Sequence, residues 1–423
     1  MQNEYSQLLL DIQKKSKITI KKVSDLKHLK EEIFSVTEKK ISFNTLRRLY
    51  GFLPNTVPSQ TTLKTLSNYL SYTNYANYLN NKEVYDEWFI YMKILKLQQK
   101  NHLSEFDLNF IKSSLKNDGN IIAIANYIGF LIQTKKIDLL HLIFSKINFD
   151  KLRDSVLSKF AIICSYSFFK LPKTEIVAIY KELIVYENFR NSIPLYYIDY
   201  SNLNGYYINV LKMIKELHSN ESDFLFCSLM EFYQKFYSNE NYSTIEIKLP
   251  KKSELLFPVL LGRYYGYKIL QSEKLDNKLK NIIVKELKIS KPTFLLVEIF
   301  PALIIKEEFE FLNKIIEENY EQIFDEDRWS SKSTTAIYLI GLASININKG
   351  NLKAAQSNLD LVELDKIELA YTDYTTLFYY LIKIQLHYLE KNLSQVTDNY
   401  TLLENLANKI GYTKFISLTQ KYI

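Results

Sequence analysis

Glycine and proline together supply only 17 of the 423 residues, and this scarcity of turn-formers limits the fold more than any other feature of the chain. Average usage of the pair is roughly 12%. A sandwich, a barrel or a doubly wound sheet needs many Gly-bearing turns, whereas stacked helix hairpins need few. The expectation is therefore an all-α protein. A chain of this length exceeds the size at which one core keeps growing, so several domains or a quasi-linear repeat array are expected.

Charge divides the chain unevenly. Residues 1–82 hold 13 Lys and Arg against 6 Asp and Glu, whereas the remaining 41 basic residues meet 41 acidic ones. The whole formal charge of +7 thus sits in the first segment. Such asymmetry points to a module that binds a polyanion. Cys164 and Cys227 stand far apart without CxxC spacing, which suggests small core residues rather than a disulfide framework or a zinc site. The first residues, Met1-Gln2-Asn3-Glu4, lack a basic flank leading into an apolar signal region, and no apolar run approaches ~18 residues. The expected location is the cytoplasm, with no membrane partner.

From Ser24 onward the basic segment reads as short capped helices. Ser24 can cap a helix carrying Leu26, Leu29, Ile33 and Phe34, and a polar stretch near Glu38 to Lys40 ends it. Ser42 can cap a second helix, in which Leu46, Leu49, Tyr50 and Leu53 share one face. Asn44 and Arg48 then point away from the core, Arg47 lies on the flank, and Gly51 sits at the exit. After a loop from Pro54 to Pro58, Ser59 caps a helix whose Leu63, Leu66 and Leu70 face inward. Two short helices joined by a tight turn, the second presenting polar side chains outward, make a helix-turn-helix arrangement. Arg can bond the guanine edge and Asn the adenine edge, while Thr45, Lys64 and the basic flank suit phosphates. The candidate DNA-binding residues are Asn44, Thr45, Arg47, Arg48 and Lys64.

The run S42-F-N-T-L-R-R-L-Y-G51, followed after a loop by P58-S-Q-T-T-L-K-T-L-S-N-Y-L-S-Y72, resembles the DNA-binding domain of lambda-repressor-type regulators. In that family the recognition helix ends near a Gly and a Pro-Ser-x-x-Thr-Leu helix follows. It is also similar to N-terminal modules of multidomain helical proteins of Bacteroidetes-type bacteria. The resemblance covers about 60 residues and implies binding to double-stranded DNA. It departs at Ser71, where the family usually has Gly.

Residues 83–423 read as successive amphipathic segments of roughly 12 to 18 residues with short polar breaks, the pattern of stacked helix hairpins. Segments such as Asn120 to Gln133, Tyr206 to Leu217, Glu307 to Asn319, Thr334 to Asn348, Lys353 to Val362, Tyr374 to Leu389 and Leu393 to Leu406 are expected to be helical. Ala343, Gly350-Asn-Leu-Lys-Ala-Ala355 and Leu359 resemble a tetratricopeptide repeat, and the pair around Lys391-Asn-Leu-Ser-Gln-Val396 follows the same template. The resemblance implies an α-solenoid whose concave face takes a peptide or protein ligand, or a second copy of the chain. Tyrosine clusters such as Tyr196, Tyr197 and Tyr200, or Tyr264, Tyr265 and Tyr267, are expected in the core.

Sequence signatures of catalysis are missing. Neither GxxxxGK[ST] nor GxGxxG nor GxSxG occurs, and no cofactor is implied. His28, His102, His141, His218 and His387 are isolated from one another, without HExxH spacing. Asp325, Glu326 and Asp327 beside Trp329 read as a solvated loop. The expectation is a non-enzymatic DNA-binding transcriptional regulator: residues 1–82 form a helix-turn-helix module and 83–423 a repeat array that senses a partner or dimerises. The rival reading is a protein-interaction scaffold that never touches DNA.

Overall fold

Short polar residues set where the helices of the first unit begin. The computed structural model describes residues 5–423 apart from 55, 218–219, 243–245, 251–257, 290–291 and 324–331, and at 80–87, 154–155, 258 and 292–294 the backbone only. Every regular element among the described residues is helical. The chain forms two compact units, Met1–Gln99 and Lys100–Ile423. The first contains α1 (Ser6–Ser16), α2 (Asp25–Thr37), α3 (Phe43–Leu49), α4 (Gln60–Tyr69) and α5 (Tyr75–Gln98). The division expected after residue 82 therefore falls inside α5.

Ser42 accepts a hydrogen bond from the Thr45 N–H at 3.1 Å, Ser59 from the Thr62 N–H at 3.2 Å, and Asn74 from the Asn77 N–H at 2.7 Å. Each satisfies one of the orphan donors at a helix start. Ser24 behaves differently from the expectation, because its side chain caps nothing. The Asp25 carboxylate instead accepts from the Lys21 and Lys22 N–H groups, both at 2.9 Å. These two bonds hold its carboxyl below the ordinary range.

Left-handed residues set where α3 and α4 stop. At Gly51 φ is +78°, and the Phe52 and Gly51 N–H groups donate back to Arg47 O at 2.7 Å and Arg48 O at 3.2 Å. This is a Schellman termination, in which glycine avoids the Cβ clash. Leu53, expected on the inward face of a continuous helix, lies beyond that stop. Ser71 ends α4 in the same way at φ +75°, with Tyr72 N–H donating to Ser67 O at 2.9 Å.

Leu8, Leu9 and Ile12 of α1, Leu26, Leu29 and Ile33 of α2, Leu46 and Leu49 of α3, and Leu63, Leu66 and Tyr69 of α4 form one core, with Ile41 and Tyr78. Phe34, expected among them, is 44% exposed. The Tyr78 hydroxyl donates to Asp11 at 2.6 Å and the Tyr50 hydroxyl to Leu9 O at 3.2 Å, tying α1 to later parts of the unit.

The second unit contains α6 (Glu105–Ser114), α7 (Ile121–Gln133), α8 (Ile137–Lys146), α9 (Asp154–Phe168), α10 (Lys173–Leu183), α11 (Glu187–Ser192), α12 (Ile208–Glu216) and α13 (Glu221–Tyr237). It continues with α14 (Pro258–Gln271), α15 (Asn277–Ile289), α16 (Pro292–Ile305), α17 (Phe309–Ile323), α18 (Lys332–Asn348), α19 (Leu352–Asp360), α20 (Leu369–Leu389), α21 (Leu393–Ile410) and α22 (Lys414–Thr419). The helix expected from Tyr206 begins as a π-helical turn, Leu203–Tyr207. His218, Asp325, Glu326, Asp327 and Trp329 lie outside the described residues.

Four helix hairpins share one turn. In α7–α8, α16–α17, α18–α19 and α20–α21 the left-handed residue is Lys135, Glu307, Gly350 or Lys391. Two positions later an apolar residue, Ile137, Phe309, Leu352 or Leu393, opens the next helix. Each turn is closed by a bond back to the first helix, as from the Lys136 N–H to Leu131 O at 2.9 Å and from the Asn351 N–H to Asn346 O at 2.8 Å. Helices α14, α16, α18 and α20 pack in series, each against the next, while α17, α19 and α21 pair with the helices before them.

The array also closes on itself. Tyr412 donates to Tyr200 O at 2.6 Å, the Asp373 N–H to Ser201 at 3.1 Å, and Asn204 to Gly411 O at 3.4 Å. The Tyr237 and Tyr374 hydroxyls meet at 2.8 Å. In a quasi-linear solenoid each unit touches only its neighbours. Here residues near 200 are tied to α20 and to the end of α21, which departs from that pattern. The aromatic rings make the seam, with Tyr200 stacked on Tyr374 and Tyr237 on Tyr412.

Candidate nucleic-acid interface

α3 is short, and its placement rests on Leu46 and Leu49, both buried, with Tyr50 and Phe52 packed against the same core. A rotation of ~100° per residue then puts Asn44 and Arg48 on the opposite side. Both are exposed. Arg47 is half-buried, its guanidinium donates to Asn44 Oδ1 at 3.4 Å, and its Nε is buried without a hydrogen-bond partner. Arg47 is therefore held beside Asn44, whereas Arg48 stands free in solvent. Thr45 is half-buried, and its hydroxyl lies 2.9 Å from that of Ser42.

Arg48 and Thr45 border an open hollow of about 150 Å³, completed by Leu49, Thr56, Val57, Pro58, Ser59 and Thr62. The rim joins α3 to the start of α4 through hydroxyls and one guanidinium. The two helix starts repeat one motif: Ser42-x-x-Thr45 and Ser59-x-x-Thr62 each pair their hydroxyls, at 2.9 and 3.0 Å. Thr56 and Thr62 were not among the residues expected here, although the second Ser-x-x-Thr motif was legible as a cap.

Lys64 is exposed but does not border the hollow. It follows Thr62 by two residues, so the two side chains leave α4 ~160° apart. The structure thus gathers Asn44, Thr45, Arg47 and Arg48 and leaves Lys64 on another side of α4. Lys39 and Lys40, exposed in the α2–α3 turn, add positive charge next to the start of α3. With its limit at Gln99, the first unit holds 15 Lys and Arg against 9 Asp and Glu, a formal +6 of the chain's +7.

The second unit also buries polar groups that bond to one another. Arg263 bonds Glu298 at 3.0 Å, and the Tyr200 hydroxyl bonds the other carboxylate oxygen at 2.6 Å. Burial pushes the Asp199 carboxyl up to about 6, against the lowering effect of hydrogen bonds from Tyr206 and Asn202. Both cysteines are free and buried, and burial pushes the Cys227 thiol up to about 12. No group of three or more His, Cys, Asp or Glu able to hold a metal ion occurs among the described residues, and none of their helices is long and apolar enough to cross a membrane. Compared with known proteins, the chain matches no family model, and no similar curated protein or solved structure was found.

Proposed function

We propose that the protein is a DNA-binding regulator in which α2 and α3 act as a helix-turn-helix and α3 enters the major groove. The observation that carries this reading is the outward pair Asn44 and Arg48, exposed on a helix whose other face is fixed by Leu46 and Leu49. Arg48 has the reach and the forked donors for a guanine edge, and Asn44 the paired donor and acceptor for an adenine edge. Lys39, Lys40 and the hydroxyls of Thr45, Ser59 and Thr62 supply phosphate contacts around them. Arg47, on the flank of α3, adds positive charge for a phosphate contact.

The second unit acts as a tetratricopeptide-like sensor. A peptide or protein bound there alters the availability of α3 by linkage, with a coupling equal in both directions. The shared turns at Lys135, Glu307, Gly350 and Lys391 support this repeat reading, and the tyrosine seam makes the unit a closed body rather than an open array. The test is selection by the full chain from a random duplex pool. Enrichment of a defined sequence is the expected result. A pool that stays random overturns sequence-specific binding and leaves the scaffold reading in its place.

A further inference from the structure

Asparagine followed by glycine occurs once in the chain, at Asn204-Gly205. The pair lies in the π-helical turn Leu203–Tyr207, which Gly205 interrupts with the non-helical angles φ −116° and ψ −125°. Asn204 is exposed. Its Oδ1 accepts from Gln234 Nε2 of α13 at 2.7 Å, while its Nδ2 donates to Gly411 O, just past α21, at a long 3.4 Å. Gly411 leaves room for this amide, because a Cβ on it would fall on the Asn204 nitrogen. Asn204 is thus one of the ties that close the second unit.

The same arrangement opens the amide carbon to attack by its own backbone. The donor on Oδ1 draws electrons from Cγ, and Nδ2, the group that must leave, is the weakly held end. Gly205 has no Cβ to shield its nitrogen. The Lys173 ammonium stands 3.9 Å from where that Cβ would be, close enough to favour negative charge on the Gly205 nitrogen.

We propose that Asn204 is a site of spontaneous deamidation, and that the reaction loosens the closure of the second unit as the protein ages. The Gly205 N–H loses its proton to hydroxide, and the nitrogen attacks Asn204 Cγ. A bond forms between them, the Cγ–Nδ2 bond breaks, and Nδ2 takes a proton from water and leaves as ammonia. Water then opens the cyclic imide at either carbonyl, giving aspartate or isoaspartate. The chain has exchanged ammonia for water and gained one negative charge. Aspartate at this position sets a carboxylate against Gly411 O, two acceptors facing each other at the negative end of the α21 dipole. Glu240, which bonds the same Gln234 amide at 3.4 Å, adds like charge. Lys173 offsets part of that charge but supplies no donor in place of Nδ2. Isoaspartate also lengthens the backbone of the turn by one carbon. Either product gives up the tie to Gly411 and leaves the bonds from Tyr412 to Tyr200 and from Asp373 to Ser201 to hold that side of the seam. The reaction does not depend on whether α3 meets DNA.

Incubation of the full chain in mildly alkaline buffer, followed by ion exchange and peptide mass spectrometry, tests it. The first acidic variant to form should be one dalton heavier in the peptide that contains Asn204. Its rate should lie within about tenfold of that of a free synthetic peptide of residues 200–208, because an exposed turn opens at little cost. Asn204→Gln should remove this variant, since the longer side chain cannot close the same five-membered ring. The purified deamidated chain should exchange amide hydrogens faster than the intact chain at 197–203 and 407–416, with α7 unchanged, and Asn204→Asp should reproduce the difference. Another asparagine reacting first, a rate further below that of the free peptide, or a deamidated chain that exchanges like the intact one at both segments overturns the proposal. The time course uses the wild-type chain, so it decides the matter even if a variant misfolds.

Discussion

Replacing Gly262 with Ala should destabilise the second unit, although alanine is the better helix former. A Cβ at Gly262 would fall 2.6 Å from Leu295 O and 3.1 Å from Leu295 Cα, both backbone atoms of α16 that no rotamer change can move. One turn later, a Cβ at Gly266 would meet Glu298 O at 3.0 Å, so the two glycines form the strip along which α14 and α16 approach. Separating these helices also stretches the neighbouring Arg263–Glu298 pair, 3.0 Å long and almost wholly buried. Overpacking of this kind costs about 1 to 3 kcal/mol, and weakening a buried ion pair adds to it. The gain in helix propensity returns about 1 kcal/mol. A net loss of about 2 kcal/mol is the expectation. Gly341→Ala is the matched control, because its Cβ would make only an ordinary 3.5 Å contact with Phe300; it should be neutral or stabilising by up to about 1 kcal/mol. Urea unfolding of the full chain, followed by circular dichroism, compares them. Gly262→Ala unfolding at the same or higher urea than Gly341→Ala would refute the close-approach argument.

Ser71→Gly should stabilise the first unit by about 1 kcal/mol, since it removes a left-handed penalty of roughly 1–2 kcal/mol and loses only a long 3.3 Å contact with Lys15; a lower melting temperature would contradict the termination geometry. Asp199, raised from 3.8 to about 6 in the folded chain, contributes stability that is present below pH ~4 and lost as pH rises through ~6. The shift corresponds to about 3 kcal/mol at most. Asp199→Asn should therefore melt higher relative to wild type at pH 7 than at pH 5, and a difference independent of pH would show that the carboxyl is not strained by burial.

Much of this architecture was legible because the residues that start helices are local. Ser42 and Ser59 each announce a helix by a side chain that reaches only three residues ahead. Gly51 and Gly350 announce stops for the same reason. The equivalent stops at Ser71, Lys135, Glu307 and Lys391 were hidden, or only half visible, because the left-handed position tolerates a polar side chain at modest cost. The repeat was thus recognisable near Gly350 and obscure near Glu307. α16 escaped notice because, Glu298 apart, its residues run almost unbroken apolar and it contains Pro301, so no helical period marks it. The tyrosine seam was out of reach of any local pattern. Tyr200 and Tyr412 are 212 residues apart, and nothing in either neighbourhood encodes their meeting. At the candidate interface, the outward face of α3 followed from its period, but the bond between Arg47 and Asn44 and the rotation of Lys64 away from the hollow depend on side-chain placement.

Whether α3 reads DNA through Arg48 is decided by titrating three proteins against two duplexes at two salt concentrations. Wild type, Arg48→Ala and Arg47→Ala are compared on a selected site and on a scrambled one. Arg48→Ala should lose about 1 to 3 kcal/mol on the selected site and level the discrimination between the two. Arg47→Ala should weaken both duplexes about equally and reduce the log-log salt slope by roughly 0.9, the value of one phosphate contact. If Arg48→Ala binds both duplexes as wild type does, or if wild-type affinity does not fall as salt rises, α3 is not a recognition helix.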